Sequence, residues 1–168
     1  SACSCINIIL DDKEFFPIEI SIKKDHNGNS ISQENLINPL NVLKNLCQFS
    51  FKGKKIIHML IENYQIDGKD YSFLPENLKC NNFSLDIKFI CLSKNLIEHY
   101  ESILKRYHIL VNQILNAEYI QQFQDQQNPN IYTTASRIIS GYNNNEISLV
   151  NKTLKSKGFF EKFFDLFS

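Results

Sequence analysis

At 168 residues with 43% apolar content, the chain can bury one real core with an appendage. Its formal net charge is zero, so no global electrostatic pull points to nucleic acid, and no apolar run approaches the roughly 18 residues of a spanning helix. Five scattered cysteines, an odd number, read as reduced thiols rather than a disulfide framework. No signal-peptide pattern opens the chain, which makes a cytosolic location the expectation, and Ser1 in place of an initiator Met reads as a fragment.

In chain order, Ala2 to Leu10 is apolar and β-branched enough for a strand, closed by Asp11-Asp12-Lys13. Pro17 to Lys23 alternates, with Ile18, Ile20 and Ile22 on one face, and predicts a half-buried strand. His26-Asn27-Gly28-Asn29 is turn chemistry. Ser32 then caps a helix carrying Leu36, Ile37, Leu40, Leu43 and Leu46 on one side, with Pro39 predicting a late start or a kink. Lys54 to Ile66 reads as a strand, Asp67-Gly68-Lys69-Asp70 as a turn, and Pro75 to Asn82 as loop.

Ser84 to Leu92 alternates again, with Leu85, Ile87, Phe89 and Cys91 on one face. Ser93 caps a second helix, whose Leu96, Ile97, Tyr100, Ile103, Leu104 and Tyr107 keep helical spacing, and Ile109 to Leu115 is a short strand. The prediction is an α+β fold, a small sheet packed with two helices on one face. The expected domains are an interaction domain over 1–120, a linker over 121–157 that carries a short remnant of a larger body, and a terminal amphipathic helix over 158–168. Gln121 to Asn130 is the polar run that suggests the linker, followed by a short helix over Tyr132 to Tyr142 and a loop at Asn143-Asn144-Asn145.

The chemistry-bearing residues form no motif. The five glycines are isolated, so no phosphate-cradling loop can be built, and no nucleotide or other cofactor is expected. The four histidines lack ligand spacing, Cys3-x-Cys5 has no downstream partner, and no metal is expected. His58 is expected at a sheet surface. Cys91 and His99 are eight positions apart, a spacing with no catalytic motif behind it. Nothing in the pattern supports an enzyme or a catalytic residue.

The informative stretch is the end of the chain. At about 100° per residue, Phe159, Phe160, Phe163, Phe164, Leu166 and Phe167 fall within one arc of roughly 160°. Glu161, Lys162 and Asp165 take the other side, with Lys155 and Lys157 just before. Such a face suits a bilayer interface, its aromatic rings in the acyl boundary and its lysines at the headgroups. The commoner use of an amphipathic terminal helix is docking on its own domain.

Two separated stretches resemble the bacterial cell-division protein FtsA. Ile31-Ser32-Gln33-Glu34-Asn35-Leu36 is followed by Lys55-Ile56-Ile57-His58-Met59-Leu60-Ile61-Glu62-Asn63-Tyr64-Gln65-Ile66-Asp67-Gly68. Leu85-Asp86-Ile87-Lys88-Phe89-Ile90, Asn95-Leu96-Ile97 through Arg106 and Ile109-Leu110-Val111 continue the likeness, which spans about residues 30 to 120. In the family this is the small inserted domain called 1C or SHS2. Pro129-Asn130-Ile131-Tyr132-Thr133-Thr134-Ala135-Ser136 resembles the family's late P-x-Y-A-T-A motif, after which FtsA has a linker and an amphipathic membrane-targeting helix.

Between Glu118 and Pro129, where the family carries most of its actin-like ATPase body, this chain has about ten residues, so ATP binding is not implied. The subdomain that contacts FtsZ has no counterpart here, and direct FtsZ contact is not expected either. His108 stands where the family has glycine. The resemblance implies a truncated FtsA-like division protein at the Z ring and septum. It would be peripheral on the cytoplasmic face of the inner membrane, touching an FtsA copy or other divisome proteins. The alternatives are the pilus-assembly actin-like protein with a similar inserted domain and a generic protein-interaction module.

Overall fold

The computed structural model describes residues 4–149. Cys3 and every residue assigned to the amphipathic tail, from Lys155 to Phe167, lie outside that range. The elements are β1 (Ser4–Leu10), β2 (Phe16–Asp25), a 3-10 turn (Gln33–Leu36) running into α1 (Ile37–Ser50), β3 (Lys54–Ile66), β4 (Lys69–Tyr71) and β5 (Asn82–Ser93). They continue with α2 (Lys94–Lys105), β6 (Ile109–Asn116), α3 (Ala117–Gln121), α4 (Ile131–Ile139) and β7 (Glu146–Ile147). The fold is α+β.

The main sheet is antiparallel in the order β2-β5-β3-β4, with β7 added beside β3. β1 and β6 form a separate parallel pair. The alternation of β5 sends Phe83, Leu85, Ile87, Phe89 and Cys91 into one core, which α1 covers with Leu40, Leu43 and Cys47. Pro39 is the third residue of α1, in the first turn, where the missing N–H has no intrahelical partner to lose. Leu46, expected on the buried side, is instead 50% exposed. At about 100° per residue it falls just outside the arc that Pro39, Leu40, Leu43 and Cys47 bury. The turn after β3 is built by Asp67 (φ 46°) and Gly68 (φ 82°), the two left-handed residues of a tight hairpin.

The second face of the sheet is also covered, a correction to the one-sided packing expected from sequence. Ile90 and Leu60 meet Leu115, Tyr119, Ile120, Ala135 and Ile138 there. Further along, Ile57 and Leu92 meet Leu10, Ile114 and Ile97 of α2. The region expected as a linker after Gln121 thus contains a helix and an edge strand that pack on the sheet. Asn130 starts α4, its side-chain oxygen accepting from the backbone N–H groups of Tyr132 and Thr133. The polar run before it contributes only Phe123 to that core, as a partly buried neighbour.

Candidate functional site

Two breaks in the register of β3 decide where its polar residues go. Bulges lie between Ile56 and His58 and between Ile61 and Asn63. Between them Met59 and Ile61 point to the α1 core, while Leu60 points to the opposite one. His58 shares the face of Leu60 and is only 1% exposed, a correction to the sheet-surface position expected for it. The reason is tertiary, because α3 and β7 cover a face that would otherwise meet water.

His58 is held at both nitrogens. The backbone N–H of Asn116 donates to Nε2 at 3.0 Å, which assigns the ring proton to Nδ1. Nδ1–H then donates to Oε1 of Glu146 at 2.9 Å. The other carboxylate oxygen accepts from the Tyr119 phenol at 2.6 Å, and that phenol accepts from Nδ2 of Asn143 at 2.9 Å. The rings of His58 and Tyr119 lie with centroids 4.5 Å apart. Burial, with the neighbouring Glu146 carboxylate, raises the Tyr119 phenol well above its ordinary range.

The asparagine loop completes the knot. The Asn145 carbonyl accepts from the N–H of Ile61 at 2.8 Å. Its side chain accepts from the Tyr64 phenol at 3.0 Å and donates to the Ser72 carbonyl at 2.9 Å. Burial raises the Tyr64 phenol as well. With each group turned to a neighbour, the network acts as a clamp that fastens β7 to β3, Met59 beside Ile147 and Leu60 beside Glu146.

A cleft of about 780 Å³ begins at the clamp, where Tyr64, Asn143, Asn145 and Glu146 line it, and extends along β3 to Lys54. Lys54, Lys55, Ile56 and Ile57 form its floor. Asn112 to Leu115 of β6, Lys44 and Gln48 of α1, Lys94 of α2, and Phe73 form its walls. On this side β4 and β7 pair with residues 59–66 of β3, and no described strand lies beside Lys54–Ile57. A second exposed feature is an apolar stripe on α1, where Val42, Leu46 and Phe49 (72% exposed) repeat at helical spacing away from the sheet.

The other residues weighed from sequence are not gathered. Cys91 sits in the α1 core beside Cys47, its thiol pushed up to about 12 chiefly by burial. His99 is exposed on α2, which packs on the opposite side. Cys5 is exposed. Among the described residues no three His, Cys, Asp or Glu side chains converge as metal ligands, and no helix is long and apolar enough to cross a membrane. The Glu146 clamp carried no sequence signal, since its partner His58 is 88 positions away. No known protein-family model matches the chain, and no curated protein matches it.

Proposed function

We propose that this chain is an FtsA-like cell-division protein without the ATPase body, linking divisome components to the cytoplasmic face of the membrane. The observation that carries the reading is the element order α1–β3–β4–β5–α2–β6, formed by the stretch of about residues 30 to 120 that resembles the family's inserted domain. His108 adds support. Its φ of 59° is the left-handed conformation that glycine adopts freely, and glycine is what the family has at that position. The exposed stripe of Val42, Leu46 and Phe49 is suited to protein contact, and the Phe-rich tail to a bilayer surface. In this role the chain acts through contacts and needs neither catalyst, metal nor nucleotide.

The test is flotation with vesicles containing anionic lipid, together with imaging of a fluorescent fusion in a dividing rod-shaped bacterium. The wild type should float and form a band at the septum. The double change Phe160→Glu and Phe163→Glu puts two charges inside the apolar arc and should abolish both, with the unfolding transition unchanged. A wild type that stays unbound, or that coats the membrane evenly with no septal band, overturns the reading.

A further inference from the structure

The described structure offers a site that could receive the tail's apolar side chains. β7 runs antiparallel to β3, with Leu60 beside Glu146 and Met59 beside Ile147, so the chain travels toward the Lys54 end of β3. It leaves the described region at Leu149, which itself lines the cleft. Along Lys54–Ile57, β3 pairs with β5 on one side and has no described strand on the other, and such an open edge is a template for an arriving extended segment.

We infer that the segment Gly158–Phe167 docks in this cleft when no membrane is present, sheathing its phenylalanines. Eight residues, Val150 to Lys157, separate Leu149 from that segment and reach at most about 28 Å when extended, enough to span the cleft. Ile56, only partly buried, and the exposed Phe73 offer apolar surface there. The exposed Lys94 offers a cation to Glu161 or Asp165, the carboxylates that oppose binding to anionic lipid. The docked and membrane-bound tails then compete for one apolar face, so the anchor is held in reserve until a bilayer takes it. The docking stands on the cleft and the path of the chain; its consequence for membrane capture rests on the anchor reading above.

The chain has no tryptophan, so Phe163→Trp in the 168-residue chain introduces a single indole reporter. Without lipid, its emission should be blue-shifted, and iodide should quench it several-fold less than in a free peptide of residues 150–168 carrying the same change. Emission and quenching equal to the peptide's overturn the docking. Shielding that vanishes on dilution means a second copy supplies the cleft, and overturns it as well. Adding Phe73→Glu and Lys94→Glu, both at exposed positions, should restore quenching; no effect would place the tail elsewhere and refute the cleft.

A tail docked nine-tenths of the time should bind phosphatidylethanolamine–phosphatidylglycerol vesicles about tenfold more weakly than the free peptide. The cleft variant should recover most of that factor. Equal affinities for protein and peptide mean no competition and overturn the reserve. A peptide that ignores vesicles sinks the anchor reading instead, while the lipid-free fluorescence still decides the docking.

Discussion

Replacing His58 by alanine tests whether the clamp between β3 and β7 holds the C-terminal half of the structure in place. The change removes the acceptor of the Asn116 N–H, on a residue 7% exposed, and the donor to Oε1 of Glu146. An orphaned buried donor costs about 1–3 kcal/mol, and losing a hydrogen bond to a charged group about 1.5–3 kcal/mol. Glu146 keeps its bond to Tyr119 and some contact with water, its side chain being 18% exposed, which favours the lower part of that range. About 3 kcal/mol is therefore expected, a fall in Tm of about 6–12 °C for a chain of this size.

Thermal and urea unfolding of the full chain followed by circular dichroism measures it. Tyr119→Phe removes only the 2.6 Å bond and should cost about 1–2 kcal/mol. In the cycle with Glu146→Ala, the double variant should fall short of the sum of the singles by about 1–3 kcal/mol, because both act on one network. A loss below about 0.5 kcal/mol for His58→Ala, the range of an ordinary surface change, would refute the clamp.

Stability should also fall in alkali. Burial pushes the Cys91 thiol up to about 12 in the folded chain against 9.0 ordinarily, and raises the phenols of Tyr64 and Tyr119 above 10.0. The unfolded chain therefore gives up these protons first. The contribution is complete below pH 9 and drains as pH rises, by up to about 1.4 kcal/mol per pH unit for each group. A Tm that stays level from about pH 8 to 11 contradicts this. Ending the chain at Gln121 instead of Leu149 removes Ala135, Ile138 and Ile147 from the two cores, together with Glu146. Burial of the two isoleucines alone is worth about 3–6 kcal/mol, so the shorter chain should unfold far earlier in urea, and equal midpoints would show that the segment merely decorates the domain.

Much of the sheet was legible because its chemistry is local. Ile18, Ile20 and Ile22, and again Leu85, Ile87, Phe89 and Cys91, repeat at the period of a strand, and that period assigns each side chain to a face without knowledge of the rest. Asp67-Gly68 likewise states its own turn, since the two left-handed conformations needed there suit few residues. The amphipathic arc of the tail is of the same kind, a property of spacing alone. What covers the second face was not legible. Tyr119, Ile120, Ala135 and Ile138 are too few and too widely interrupted by Gln and Asn to mark a core, and only their convergence on Leu60 and Ile90 makes them one. The bulges in β3 shifted its alternation without any glycine to announce them, and His58 is inside because α3 and β7 cover the face it shares with Leu60. Its pairing with Glu146 joins residues 88 positions apart, and such a partnership exists only once the backbone has closed the distance.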